Sequence, residues 1–232
     1  MWEDLTVEEH LYFYARLKGI SAGDEAATVK KSLETVSLFD LRKRLSKALS
    51  GGEKRRLSIA IALVGNPSVV FLDEPTTGLD PEVRRLIWNI ISDSKEGKSI
   101  ILTTHSMEEA EALCGRIGIM AKGTLRCLAN PIRLKQIYGS GFKLFFNSLQ
   151  ESTQKASEFI ESLLPKGWKK IDEFTTSVSY EFPAVDGTIG PLFDDIEAGK
   201  SLHGILDWGL GQTTLEEVFI RLIGHADAEA AY

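Results

Sequence analysis

Ser50, Gly51 and Gly52 stand at the start of a helix-forming run, between Leu49 and Glu53. A helix N-terminus offers unshared backbone N–H groups and the positive end of the macrodipole, which suits a phosphate. Glycines let the backbone approach closely, and the Ser50 hydroxyl adds a donor. The same tripeptide also reads as a flexible turn before a capped helix. Further on, the apolar run Val69 to Leu72 leads straight into Asp73-Glu74. Ligands of open α/β sheets bind at the carboxyl ends of strands. Two adjacent carboxylates are unfavourable there unless a cation or a reaction proton compensates. In a phosphate site Asp73 would face Mg²⁺ and Glu74 would polarise an attacking water. Taken alone, the pair is equally an acidic loop. Asp80, before Pro81, fits a helix N-cap. His105 ends a strand-like run, where a lone histidine is more often a satisfied surface residue.

The elements that must position these residues follow from apolar spacing. Thr6 and Glu9 form a capping box, and Val7, Leu11 and Tyr14 stripe a helix ending at Gly19. A second helix is expected from Asp24 to Val36, with Val29, Leu33 and Val36 on one face. Leu57, Ile61 and Val64 stripe the helix that opens at Ser50, and Gly65-Asn66-Pro67 stops it. Val69 to Leu72 and Ser99 to Thr104 read as strands buried on both faces, as in a parallel sheet. Between them Val83, Leu86, Ile87, Ile90 and Ile91 give a 3.6-residue period. Ser106 and Glu109 form another capping box, for a helix reaching Leu113. Ile117 to Met120 and Leu125 to Leu128 flank Lys122-Gly123 as a hairpin. Alternation of strand and helix defines an α/β domain.

The pattern changes near Tyr138-Gly139. Phe142, Leu144 and Phe146 alternate as a half-buried strand, and Ala156, Phe159, Ile160, Leu163 and Leu164 stripe a helix. Strands are expected from Trp168 to Phe174 and from Val178 to Phe182. Ile189, Leu192, Phe193 and Ile196 then stripe a helix, and Leu206, Trp208 and Leu210 alternate in a last strand. The order β-α-β-β-α-β points to a small ferredoxin-like module. A helix from Thr213 to Leu222 follows, with a frayed tail from Ala226. The expected division is 1–138 for the α/β part and 139–232 for the module.

With 232 residues and 43% hydrophobic content, the chain can bury one large core or two small ones. Its net charge of −6 argues mildly against nucleic acid or an anionic lipid surface as the main partner. No apolar stretch approaches the ~20 residues needed to span a bilayer. The opening Met-Trp-Glu-Asp lacks the basic and apolar regions of a signal peptide. Cys114 and Cys127 have no C-x-x-C spacing and read as reduced core residues, hence a reducing, cytosolic face.

The order Ser-Gly-Gly, Asp-Glu, Gly78-Leu79-Asp80-Pro81 and His105, within Leu49 to His105, resembles the ABC ATPase family. That resemblance implies an ATP and Mg²⁺ site shared by two ATPase domains in a head-to-tail dimer. It assigns Ser50, Gly51, Gly52 and Glu53 to the nucleotide of the opposite domain, with Asp80 at the same interface. Asp73 falls to Mg²⁺, Glu74 to the general base, and His105 to the γ-phosphate of its own domain's nucleotide. Trp2 to Leu11, Lys54-Arg55-Arg56-Leu57-Ser58, Thr103 to Glu111 and Thr213 to Phe219 are similar to characteristic runs of the A subfamily of transporters. The C-terminal module is similar to that subfamily's regulatory domain. The subfamily implies coupling of ATP hydrolysis to transmembrane transport, with lipid as the cargo class. It implies transmembrane domains as partners and the cytosolic face of a membrane as the location. Many ABC signatures have glutamine where this chain has Glu53.

The 232 residues contain no G-x-x-x-x-G-K-[ST], the loop that cradles the β- and γ-phosphates. The expectation is therefore that the chain by itself neither binds ATP tightly nor hydrolyses it, and that Met1 marks a truncation. Two other readings compete. One is a non-catalytic half-site that donates only its signature motif to a partner ATPase. The other is a DNA-organising ATPase of the SMC kind, which calls for a heptad coiled coil before the signature and a basic surface. Residues 1–48 show two short capped helices instead, and the chain is acidic.

Overall fold

Capping and side-chain anchoring decide where the first helices begin and end. The computed structural model describes residues 1–139, 141–185 and 187–229. It divides into two units, Met1–Leu113 and Cys114–Tyr232. In the first, α1 (Val7–Leu17) opens at Thr6, whose hydroxyl accepts from Glu9 N while the Glu9 carboxylate accepts from Thr6 N at 2.7 Å. Such a box contributes about 1 kcal/mol. Val7, Leu11 and Ala15 are fully buried. So is His10, whose Nε2 accepts from Trp2 N, which leaves Nδ1–H to donate to Thr6 O. Helix α2 (Glu25–Thr35) buries Val29 and Leu33, and the Arg16 guanidinium grips Glu25 through two nitrogens.

Helix α3 (Gly51–Leu63) buries Leu57, Ile59 and Ala60, while Ile61 of the expected stripe is only half-buried. The cause is packing on several sides: α1, α2 and the first strand all touch α3, so no single stripe suffices. Its C-terminus is closed by Lys18, whose Nζ donates to Ile61 O, Ala62 O and Val64 O at 2.9, 2.8 and 3.1 Å.

Strands β1 (Val69–Asp73) and β2 (Ser99–Thr103) pair in parallel, from Val69 opposite Ser99 to Asp73 opposite Thr103. Helix α4 (Pro81–Asp93) lies between them in sequence, with Ile87, Ile90 and Ile91 buried. The expectation of strands buried on both faces is corrected. Val70 and Leu72 turn inward, but Val69, Phe71 and Ile101 face solvent, Phe71 at 72% exposure. The unit's own helices cover only one face of this pair. Helix α5 (Met107–Leu113) follows β2.

In the second unit β3 (Ile117–Ala121) and β4 (Thr124–Ala129) form the expected hairpin. Lys122 and Gly123 both take positive φ, the geometry of a type I′ turn. Helix α6 (Pro131–Tyr138) was not anticipated from the sequence. Asn130 caps it by accepting from Arg133 N at 2.7 Å, and Pro131 occupies its first position. Helix α6 packs on α9 (Leu215–Glu229), which also touches β3.

Strands β5 (Phe142–Ser148), β6 (Lys169–Glu173), β7 (Ser177–Phe182) and β8 (Ile205–Gln212) form one antiparallel sheet in the order β6-β7-β5-β8. Helices α7 (Thr153–Leu163) and α8 (Ile189–Gly199) complete the β-α-β-β-α-β arrangement of a ferredoxin-like module. Leu144, Phe146, Val178 and Tyr180 from the sheet meet Ala156, Ile160, Leu192 and Ile196 from the helices. A register break at Asn147/Ser148 turns Ile205 inward and leaves Leu206 64% exposed, against the alternation expected of β8. Phe193, expected in the buried stripe of α8, is exposed with its ring 5.0 Å from that of Trp208. Helix α9 runs past the expected end at Leu222, and residues 230–232 of the expected frayed tail lie outside the described residues. Cys114 and Cys127 are half-buried and form no disulfide with each other. No helix among the described residues is long and apolar enough to cross a membrane.

Candidate nucleotide site

The predicted site residues fall into two groups. The first surrounds the N-terminus of α3. Ser50 is its N-cap: the hydroxyl accepts from Glu53 N at 3.2 Å, and Glu53 Oε2 accepts from Ser50 N at 2.7 Å. This reciprocal box uses two of the four leading N–H groups. The helix itself gives those of Gly51 and Gly52 no partner. The Ser50 oxygen accepts while its proton stays free to donate, so the tip presents three donors to an anion. Accepting the Ser50 N–H also holds the Glu53 carboxyl below the usual carboxylate range, with partial burial acting the other way. Arg44 lies 3.9 Å from Glu53 Oε1.

Gly51 is open, but a Cβ on Gly52 would stand 2.9 Å from Val83 Cγ1. Gly52 therefore also lets α3 meet the start of α4. Val83 N in turn donates to Asp80 Oδ1 at 3.0 Å, making Asp80 the expected N-cap of α4. The signature residues and Asp80 are thus neighbours through Val83.

The second group sits at the carboxyl ends of β1 and β2. Thr103, the last residue of β2, donates its hydroxyl to Asp73 Oδ1. Glu74 N donates to Thr103 O at 3.1 Å and also points at the Thr103 hydroxyl. Glu74 itself has φ +43°, a left-handed conformation that a glutamate adopts only under constraint. That twist takes the chain off the strand directly after Asp73. The Glu74 carboxylate then receives the Thr77 hydroxyl at 3.0 Å and lies 3.4 Å from His105 Nδ1. Asp73, Glu74 and His105 are therefore brought together, as the sequence order requires. Asp73 and the Thr103 hydroxyl are hard oxygen donors, a partial set that fits a Mg²⁺ completed by phosphate oxygens and water.

Sequence reasoning missed several residues of this group. Thr103 is placed in a strand and in a family-like run with no role for its hydroxyl, and Thr77 is given no reading at all. Thr103 becomes legible only once β1 and β2 are known to pair in register, whereas Thr77 meets Glu74 within the loop itself. The Ser106-Glu109 box is only half formed. Ser106 Oγ accepts from Glu109 N, but the Glu109 carboxylate turns inward to Thr76 Oγ1 at 2.7 Å and Trp88 Nε1 at 3.2 Å. Ser106 N donates instead to Thr104 Oγ1. No spacing rule reveals such a diversion.

A signature-type helix tip, a carboxylate pair ending a parallel strand, and a strand-end histidine beside the second carboxylate define a segment of an ATP-binding-cassette domain. In agreement, residues 1–77 match the ABC transporter family. Over nearly its whole length the chain is similar to three Arabidopsis thaliana proteins. It is 44% identical to ABC transporter A family member 12 over 230 residues, 98% of this chain and 25% of that protein. Member 7 is 43% identical over 98% of this chain and 24% of its own length. Member 5 is 42% identical over 100% of this chain and 25% of its own length. The chain belongs to the ABC transporter family, within its A branch. It spans about a quarter of the length of the curated relatives it matches.

Proposed function

We propose that this chain is part of the ATP-hydrolysing domain of an A-type ABC transporter, coupling ATP binding and hydrolysis to the transmembrane movement of a lipid-type substrate. The observation that carries the reading is Glu74: constrained at φ +43°, adjacent to Asp73, and held between the Thr77 hydroxyl and His105. In this reading Mg²⁺-ATP, when bound, supplies the phosphoryl group to be cleaved. Asp73 faces the metal, and Glu74 orients and deprotonates the attacking water. His105 contacts the γ-phosphate. Ser50 O–H and the Gly51 and Gly52 N–H groups serve the nucleotide of a second ATPase domain in a head-to-tail dimer, with Glu53 closing the cap and Asp80 at the same interface.

The exposed Val69, Phe71 and Ile101 support a further partner surface, since an apolar face on a parallel pair is normally covered. We assign residues 1–138 to the ATPase part and 139–232 to the regulatory module, with transmembrane domains as partners and the cytosolic face of a membrane as the location. The intact Glu74–His105 pair favours a catalytic segment over a half-site that only donates its signature.

The 232-residue chain alone is expected to bind no Mg²⁺-ATP at micromolar concentration, because none of its residues forms a phosphate-cradling G-x-x-x-x-G-K-[ST]. Calorimetric titration tests this. Micromolar affinity on the chain alone would overturn the reading that its groups serve a site completed by other residues.

A further inference from the structure

We propose that Glu109 is a positioning residue for the Glu74–His105 pair, acting through the hydroxyl of Thr76. Three Ser/Thr-x-x-Glu sequences open helices in the first unit. Glu9 closes its box with Thr6, and Glu53 closes its box with Ser50. Glu109 alone of the three turns away from its cap, and it is 1% exposed. Its carboxylate has no cationic partner among the described residues; the nearby Arg84 faces Glu108. A buried carboxylate held only by a hydroxyl and an indole N–H is costly unless that geometry serves something.

What it joins is specific. Thr76 is buried two residues beyond Glu74, and its carbonyl accepts from Leu79 N in the turn that leads to Asp80. Trp88 belongs to α4, the helix Asp80 caps. Glu109 itself lies on α5, which begins just after His105. One carboxylate oxygen thus ties the turn carrying Glu74 to the segment carrying His105, with α4 as the third anchor. The 3.4 Å approach of His105 Nδ1 to Glu74 Oε1 depends on that tie.

The consequence for turnover rests on the ATPase reading; the geometry does not. The direct test is NMR of the 232-residue chain, following the His105 ring and Trp88 indole resonances. Thr76→Val removes the hydroxyl while leaving Trp88–Glu109 in place. It is expected to move the His105 resonances and leave the Trp88 indole nearly still. Glu109→Ala should move both, and Glu109→Gln, which keeps an acceptor oxygen, should restore both. If His105 stays in place in Thr76→Val and Glu109→Ala, Glu109 is only a packing residue and the proposal fails.

In the full-length protein, Glu109→Ala should lower kcat about 10- to 100-fold with KM for ATP nearly unchanged. Glu109→Gln should recover most of it, and a KM change with constant kcat would contradict the positioning role. A Glu74→Gln protein that hydrolyses ATP at the parent rate would overturn Glu74 as the hydrolytic base instead, without altering what the His105 resonances report.

Discussion

A methyl group at Gly52 would stand 2.9 Å from Val83 Cγ1, closer than such atoms approach. The proposed phosphate contact would therefore be only one reason for a glycine there; the other is the meeting of α3 and α4. Gly52→Ala should cost about 1–3 kcal/mol of stability through overpacking. Thermal unfolding should register it, and the double variant with Val83→Ala should recover most of the loss. An unchanged midpoint would leave the glycine with a ligand role alone. Glu53 makes a second test at this scale. Its carboxyl titrates lower in the folded chain than in the unfolded one, because the folded carboxylate accepts the Ser50 N–H. The resulting stability is fully present above the unfolded value of about 4.3 and is lost as pH falls through the lower folded value. Glu53→Ala should be less stable than the parent by about 1 kcal/mol at pH 7, and that gap should close under acid conditions. Glu53→Gln keeps an acceptor, so it should stay near the parent at pH 7. A gap independent of pH would rule out the carboxylate as its source.

Among the elements, helices with one apolar face and a cap were readable in advance. Thr6 and Glu9 gave α1, Asp80-Pro81 gave α4, and Lys122-Gly123 gave the hairpin turn. The readings that failed depended on contacts between distant segments. Phe71 looked buried because its run is uniformly apolar, yet its outward direction follows from what covers the pair. Leu206 looked inward because alternation was extrapolated across a register break set by β5. Helix α6 went unread although Asn130-Pro131 announces it. The candidate site was legible as an ordered set of residues, whereas Thr103, which fixes its geometry, was not, since it reaches Asp73 only across the β1–β2 pairing. The end of α3 illustrates the same limit, being closed by Lys18 from far away in sequence. Lys18→Met should leave three carbonyls without that donor and cost about 1 kcal/mol. Hydrogen exchange should speed up at Leu63 and Val64 first; unchanged protection there would show that the lysine is not the cap.

At the scale of the whole molecule, the solvent-facing Val69, Phe71 and Ile101 should make the isolated chain bind hydrophobic dyes and self-associate. Phe71→Asp should reduce both in the isolated chain, yet damage assembly in the full-length protein. An improvement in both settings would mean that nothing packs on this face. Glu74 as the hydrolytic base is the central assignment, and steady-state ATPase activity of the full-length protein with Glu74→Gln is its sharpest test. The expected result is ATP binding retained with turnover reduced at least about 100-fold. Turnover at the parent rate would contradict the assignment, and with it the reading of Asp73, Glu74 and His105 as one catalytic group.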